Sequence, residues 1–407
     1  FNMPESGRAE ENSKLRIVVV GGVAGGASAA ARARRCNAQA EITILEKGPV
    51  VSFANCGLPY HIGGEIVERS KLLVATPELF WDRFRVRVRT GHEVTTVNRS
   101  AKTVNGVTSA GEEFKVPYDR LILATGSEPI RPAFCNVSAD NVFSLWTLDD
   151  MDRILGTMKK HPCKRATVIG GGYVGLEVVE QLKHRGIDVT LIERLEQVLT
   201  PLDPEMAKLI ELEMRQAGVK VMLGAEVESL LTGRNRVVTA VKLTDNQTVP
   251  TDLVIVSVGV RPRTALAQAA GLEIGASGGV KINAYCQTSD PGIFAAGDIV
   301  EYHHGMLDRP LRVPLAGPAN RSGRIAGASA AVGASKPLAS VQGTSVVRVF
   351  GLSAGGTGLN SRTAREAQID FRTAIAQAPH HASYFPGAKN LTLKILYRPD
   401  NGQLLGA

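Results

Sequence analysis

The sequence predicts an α/β fold built on two doubly wound βαβ units, and three observations carry that prediction. An apolar run ending in a glycine-rich turn occurs twice, at residues 15–26 (LRIVVVGGVAGG) and 166–175 (ATVIGGGYVG). Each turn leads into a helix-like stretch, and each helix is followed by an apolar strand closing on an acid, Glu46 or Glu193. The 407 residues exceed what one ordinary core organises, so two or three domains are expected.

In the first unit, residues 15–21 read as a strand, 22–26 as the turn, 27–35 as an alanine-rich helix and 42–46 as the second strand. This is the order of a dinucleotide site. Glycines let backbone N–H groups and the helix N-terminus approach a pyrophosphate, and Glu46 accepts hydrogen bonds from a ribose. Val23 stands where the middle glycine of GxGxxG belongs, so this motif alone fits either a dinucleotide site or a plain βαβ turn. The second unit is complete. Gly170, Gly172 and Gly175 satisfy GxGxxG, a helix runs to about residue 185, and the strand at 189–193 ends on Glu193. An acid in the ribose position disfavours a 2′-phosphate and so favours NADH over NADPH, whereas Arg194 beside it is a group able to serve that phosphate.

Composition narrows the class. Hydrophobic content of 44% with 42 glycines suits a glycine-rich α/β enzyme, and no apolar run is long enough to span a bilayer. The net charge of +8 raises the question of nucleic acid, but Lys and Arg are spread along the chain without a long basic block. In the densest run, Arg83, Arg85, Arg87 and Arg89 alternate with Phe84, Val86 and Val88. That reads as a half-buried strand with a basic outer face, or as attraction for an anionic substrate. Five cysteines (Cys36, Cys56, Cys135, Cys163, Cys286) at no ligand-like spacing argue against a disulfide framework or a zinc site, so no metal is expected. The first fifteen residues lack a signal peptide's apolar core, and a reducing, cytoplasmic location is expected.

Cys56 stands out by its surroundings, SFANCGLPYHIGG at residues 52–64. Two dinucleotide sites in one chain suit a tightly held flavin in one and an exchangeable nicotinamide in the other, with a nearby cysteine taking the electron pair onward. That role needs a thiolate near neutral pH, and residues 55–57 at the start of a short helical segment are expected to lower the thiol's pKa. A lone cysteine also fits a small buried hydrophobe.

Elsewhere, Thr76 reads as the N-cap of a helix to residue 84, with Pro77 in its first position, and short alternating strands run on to Tyr118. Residues 118–129 (YDRLILATGSEP) are a buried strand and tight turn, and 219–256 are strands with short turns. Residues 259–262 (GVRP) are a turn, and 288–298 (TSDPGIFAAGD) are a turn, a short strand and a second turn bearing an acid. Residues 314–331 form a small-residue helix that packs closely or offers Asn320, Arg321 and Arg324 to a neighbouring site. Residues 333–337 read as a linker, and 340–350 and 390–397 as strands. DNG at 400–402 is a hairpin turn whose returning strand has only begun by residue 407, so the natural chain is expected to continue.

In order along essentially the whole chain, VVVGGVAGG, LILATGS, VIGGGYVGLE and IFAAGD resemble the pyridine nucleotide–disulfide oxidoreductases. SFANCGLPY resembles the single-cysteine branch of coenzyme A-disulfide reductases and NADH-dependent coenzyme A persulfide reductases. The CxxxxC pair of other members is absent, with Val51 and His61 five residues to either side of Cys56. The resemblance implies an FAD site at Gly21, Gly22, Ala24, Gly25, Glu46, Lys47, Asn55, Ala124, Thr125, Gly126, Gly297 and Asp298. It implies an NAD(P)H site at Gly170, Gly172, Tyr173, Val174, Gly175, Glu193 and Gly259, and coenzyme A contacts from Ser28, Arg32, Arg35, Ser52, Phe53, Asn55 and Asn320 or Arg321. Arg32 and Arg35, three apart, share a helix face that suits phosphates, or make an ordinary solvated basic face. Residues 381–387 (HASYFPG) resemble a segment that enters the partner subunit's active site, so Tyr384 is expected to assist the leaving thiolate, with Phe385 replacing a second tyrosine.

The implied architecture has two Rossmann-like domains and a C-terminal α+β dimerisation domain. The FAD domain spans residues 1–121 and 278–335, the NAD(P)H domain is inserted at 122–277, and an incomplete dimerisation domain occupies 336–407 of a homodimer whose active site is completed across the interface. The implied activity is reduction of coenzyme A disulfide, persulfide or polysulfide by NADH, with NADPH possible, through FAD and a Cys56 mixed disulfide or persulfide. A rhodanese domain beyond Ala407 would favour the persulfide. Alternatives are an NADH oxidase cycling Cys56 through a sulfenic acid with oxygen, and a redox-sensing flavoprotein binding module. Neither a nucleic-acid nor a membrane partner is expected.

Overall fold

The computed structural model describes residues 14–233, 236–333 and 336–407. Most of the N-terminal stretch judged above to lack a signal peptide, and residues 334 and 335 of the expected linker, lie outside the described residues.

Two five-stranded parallel sheets form the frame. The first runs Ile293–Ala295, Arg120–Leu123, Arg16–Val20, Glu41–Leu45 and Val86–Arg89. The second runs Lys220–Met222, Asp188–Ile192, Arg165–Ile169, Leu253–Val256 and Val142–Phe143. Their central strands are apolar on both faces because both faces are covered, and Ile17, Val19, Leu121, Val168 and Ile255 are fully buried. Three-stranded antiparallel meanders attach to each unit, at His92–Asn98, Thr103–Thr108 and Glu113–Pro117 and at Val227–Thr232, Val238–Leu243 and Thr248–Pro250. The chain crosses between the units on a two-stranded ribbon, Ser127–Pro129 antiparallel to Val260–Pro262. The GVRP segment expected as a turn is therefore a strand as well, tied by Arg261 to Glu128 at 2.7 Å.

Helix Ala24–Cys36 lies directly on helix Ala316–Val332, and the small residues make this possible. A Cβ at Gly323 would fall 2.3 Å from Gly25 O, and one at Gly327 would fall 2.1 Å from Ala29 O. Thr76 caps helix Pro77–Phe84 as expected, its Oγ1 accepting from Leu79 N–H. The basic run divides at that helix's end. Arg83 is helical, Arg85 turns the chain at φ 47°, and only Arg87 and Arg89 project from the edge strand. Turn geometry breaks the alternation that the spacing suggested.

Two helices not anticipated from the sequence start on local signals. Leu148–Lys160 begins with a capping box between Thr147 and Asp150, and Pro204–Gln216 has proline in its first turn. The C-terminal part is β-rich: Ser345–Val349 pairs with Leu352–Gly356, and Arg372–Pro379, Asn390–Tyr397 and Leu404–Gly406 make a three-stranded sheet. Among the described residues, no helix is long and apolar enough to cross a membrane.

Candidate active site

The same wiring is built twice. Each first strand ends in a glycine with positive φ, Gly21 at 97° and Gly170 at 106°. A Cβ at Gly21 would stand 2.3 Å from Ala124 O, and one at Gly170 would stand 2.2 Å from Ser257 O, so only glycine fits either turn. The next N–H groups then face the acids: Gly22 N donates to Glu46 Oε2 at 2.6 Å, and Gly171 N donates to Glu193 Oε2 at 2.7 Å. The second carboxylate oxygens accept from Gly48 N at 2.7 Å and Leu195 N at 2.8 Å. Fixed this way, each carboxylate keeps lone pairs for ribose hydroxyls. Gly26, absent from the sequence-derived set, and Gly175 bring helix onto strand, since a Cβ at either would meet Gly21 O or Gly170 O within 2.0 Å.

Asp298 follows Gly297, whose turn approaches Gly25 at the start of the first helix. Its Oδ2 accepts from Ser127 Oγ at 2.8 Å. Burial pushes the carboxyl up, opposed by Ser127 and by Arg312. Gly22, Asp298, Gly172, Glu193 and Cys56 all line one cavity of about 2370 Å3, which also admits Lys47, Asn55, Gly126, Tyr173 and Gly259.

Cys56 sits in the 3-10 turn Asn55–Gly57, which runs directly into helix Leu58–Gly63. Asn55 Nδ2 donates to Trp146 O at 3.2 Å, and Ser52 takes a left-handed φ of 50° to bring the chain round. The residue is open to the cavity, yet its sulfur lies among close neighbours. Burial, followed by the Glu177 carboxylate, pushes the thiol up, and the local backbone N–H opposes too weakly to reverse it. The expectation of a lowered thiol pKa at the start of this helical segment is thus corrected: the local N–H acts in that direction but is outweighed.

The coenzyme A set lies outside the cavity lining, apart from Phe53 and Asn55. Ser28 Oγ donates to Asn320 Oδ1 at 2.8 Å, joining positions 292 residues apart. Arg32, Arg35 and Arg321 are exposed, and none has a carboxylate partner among the described residues. Arg35 rests 5.4 Å from the Phe84 ring centroid, while the intervening Arg34 is spent on the carbonyls of Phe84, Ala38 and Arg85. Tyr384 is 89% exposed between strands Arg372–Pro379 and Asn390–Tyr397 and is brought to no site of its own chain.

Known proteins place this geometry. The family model described as pyridine nucleotide-disulphide oxidoreductase matches residues 15–334. The chain belongs to that family. As a pyridine nucleotide-disulphide oxidoreductase it is 33% identical to the coenzyme A disulfide reductase of Staphylococcus haemolyticus over 96% of this chain and 87% of that one. It is also 33% identical to a protein named NADH oxidase from Methanocaldococcus jannaschii, over 96% and 86%. Among solved structures, reduced Bacillus anthracis CoADR-RHD superposes with a TM-score of 0.93 at 39% identity, covering 97% of this chain and 70% of that one. The NAD-dependent persulfide reductase from A. fulgidus gives 0.92 at 34%, covering 96% and 73%. The α/β fold of two dinucleotide-binding units with a C-terminal β-rich domain is that of an FAD-dependent NAD(P)H oxidoreductase.

The two glycine cradles fit these cofactors, each offering backbone N–H groups beside an acid fixed for ribose. Sequence reasoning missed Glu177, which lines the cavity one helical turn beyond Tyr173, and its partner Tyr60. The i, i+4 spacing of Tyr173 and Glu177 on one helix face was the available signal. It also missed that Tyr173 Oη meets Ser345 Oγ of the C-terminal part at 2.5 Å.

Proposed function

We propose that this oxidoreductase uses NAD(P)H and FAD to reduce coenzyme A disulfide or coenzyme A persulfide at Cys56. The observation that carries the reading is the single cavity onto which Cys56 and both glycine turns open. When bound, the flavin and nicotinamide supply two-electron hydride chemistry. The chain's own residues do the rest. Glu46 and Glu193 orient the two riboses, Asp298 holds the flavin side of the cavity, and Cys56 presents its sulfur to the incoming sulfur atom. NAD(P)H, one proton and a disulfide yield NAD(P)+ and two thiols, so the sulfur must cycle between a mixed disulfide or persulfide and a free thiol. Arg32 and Arg35, exposed and unpaired with carboxylates among the described residues, suit the phosphates of coenzyme A, with Ser28 and Asn320 beside them.

The division into an FAD domain, an inserted NAD(P)H domain and a C-terminal dimerisation domain belongs to the same proposal. Support for a homodimer comes from the outward face of the last sheet. There Leu391 and Leu393 are exposed opposite Ala378 and Ala376, an apolar surface that a second copy would cover. Tyr384, beyond the end of strand Arg372–Pro379, would then face the partner's site.

The test is anaerobic NADH consumption by the purified flavoprotein with coenzyme A disulfide and coenzyme A persulfide in parallel, using Cys56→Ser as control. Turnover with either that disappears in Cys56→Ser supports the reading, and the faster substrate names the acceptor. Full turnover in Cys56→Ser would sink it. A second reading, an NADH oxidase working through a Cys56 sulfenic acid, draws on the relative bearing that name and on the openness of Cys56 to the cavity. It predicts prompt NADH loss in air with no thiol substrate.

A further inference from the structure

Three separate parts of the chain meet on helix Tyr173–His184, and they meet through charge. The segment after Cys56 brings Tyr60 and Glu65, the helix brings Glu177, Glu180 and His184, and strand Ser345–Val349 brings Arg348. The Arg348 guanidinium pairs with Glu65 and lies 2.9 Å from Glu180 Oε1. It also covers the Tyr60 ring at 5.0 Å from the centroid. On the far edge of that ring, Tyr60 Oη donates to Glu177 Oε1 at 3.2 Å. Glu177 and Cys56 line the same cavity. Ligand atoms of Glu65, Glu180 and His184 lie within 4.8 Å of one another, but the guanidinium already supplies the cation this group calls for.

We propose that Glu177, held by Tyr60 and backed by Arg348, is a positioning residue that sets the protonation of the Cys56 sulfur, so that the C-terminal domain reaches the redox centre of its own subunit. The proposal rests on Cys56 being the redox cysteine. The charged groups that act on Glu177 are Tyr60 from the cysteine segment, Glu180 from its own helix and Arg348 from the C-terminal strand, and Glu177 acts in turn on Cys56, four residues before Tyr60. Burial pushes Glu177 up to about 7 against the Tyr60 hydroxyl, with Glu180 adding to the rise and Arg348 opposing it. Near neutral pH the carboxyl therefore changes charge. Burial holds the Cys56 thiol up in either case; ionised, Glu177 adds to that rise and further disfavours thiolate, and protonated, it does not. Thiolate is the attacking form, so this charge gates reactivity at the sulfur.

The experiment alkylates the flavin-loaded, NADH-reduced enzyme with iodoacetamide under argon across a pH series. The Cys56 peptide is followed by mass spectrometry, so Cys36 and Cys163 do not interfere. Glu177→Gln is expected to move the Cys56 midpoint to lower pH and raise its alkylation rate at neutral pH severalfold. Tyr60→Phe removes a donor that stabilises the ionised carboxylate, so the bend in the pH profile due to Glu177 should move upward. Arg348→Lys, which keeps the cation if Arg348→Met does not fold, should stay near the parent profile. A Glu177→Gln midpoint coinciding with the parent's would overturn the proposal. Alkylation reads the sulfur whether or not coenzyme A substrates turn over. A shifted midpoint on an enzyme inert to them would leave this inference standing and remove the proposed function.

Discussion

Lys394 Nζ lies 2.5 Å from Asp203 Oδ2, and both side chains are almost sealed from solvent. The pair joins the C-terminal sheet to the loop ahead of helix Pro204–Gln216, with Glu205 and the Ser361 hydroxyl completing the cluster. Burial alone would raise the Asp203 carboxyl, but Lys394 and Ser361 outweigh it and hold the carboxyl below its ordinary value. Burial would lower Lys394, and the two acids outweigh it and raise the ammonium. The signs fix a window. Stability from Asp203 is present above its unfolded pKa and is lost as pH falls through the depressed folded value. Stability from Lys394 is present below its unfolded pKa and is lost as pH rises through the raised folded value. Asp203→Asn leaves a buried ammonium with, among the described residues, the half-exposed Glu205 as its one remaining carboxylate. It should destabilise the chain by about 3–5 kcal/mol, the scale for breaking a buried pair. Chemical denaturation of the two proteins at neutral pH measures the difference, and an Asn variant within error of the parent would refute the assignment.

On the proposed reading, Glu193 selects which nicotinamide the second cradle accepts. Its two oxygens are occupied by Gly171 and Leu195 N–H groups, leaving its charge where a 2′-phosphate would arrive, while exposed Arg194 lines the same cavity. Glu193→Ala should raise the NADPH-to-NADH ratio of kcat/KM by about tenfold, the worth of roughly 1.4 kcal/mol of repulsion. NADH itself should bind less well as the anchored carboxylate is lost. Adding Arg194→Ala should cancel the NADPH gain. Steady-state kinetics with both coenzymes decide it, and an unchanged ratio would show that the acid does not discriminate.

What was legible in the sequence was local. Strand, glycine turn, helix and acid follow one another within about thirty residues, so Gly21, Glu46, Gly170 and Glu193 announce themselves by order alone. Val23, the one departure, costs little, because Gly21 and Gly26 occupy the positions where a Cβ would meet backbone. The chemistry of Cys56 was not legible. Its turn suggested a lowered pKa, but burial opposes this first, and Glu177 adds to it from a helix more than a hundred residues away, held by a tyrosine 117 positions distant. Arg348 adds a third segment. The basic run at 83–89 was legible only in its second half, where Val86–Arg89 is a strand with Arg87 and Arg89 outward, since a helix end and a left-handed turn fall inside the first half of the alternation.

The contact between helices Ala24–Cys36 and Ala316–Val332 leaves no room for a side chain at Gly323. The atom in the way is a backbone oxygen, Gly25 O, in the first turn of the helix that would face the flavin pyrophosphate. Gly323→Val should therefore cost about 1–3 kcal/mol or more by overpacking and weaken flavin retention as well. Gly156→Ala is the control. Among the described residues nothing lies within 4 Å of the added methyl in helix Leu148–Lys160, so it should gain about 0.5–1 kcal/mol from helix propensity and keep its flavin. Thermal melting and the flavin-to-protein absorbance ratio measure both.

Leu391 and Leu393 project from one face of strand Asn390–Tyr397, paired with Ala378 and Ala376, while Lys394 points to the opposite, buried side. Side chains two apart share a sheet face, so these four positions form one apolar surface open to solvent in the isolated chain. Leu391→Glu combined with Leu393→Glu places two charges there without touching the buried Lys394 cluster. On the proposed homodimer, the parent should sediment as a dimer and the double variant as a monomer, and the variant should retain its flavin because both dinucleotide cradles lie elsewhere. If Tyr384 acts across that interface, coenzyme A disulfide turnover should fall in the double variant and in Tyr384→Phe alike, while NADH reduction of the flavin continues in both. A double variant that remains dimeric would move the interface to another surface. A monomer with full turnover would remove Tyr384 from the reaction, because an exposed tyrosine that reaches no site in its own chain can act only through a partner.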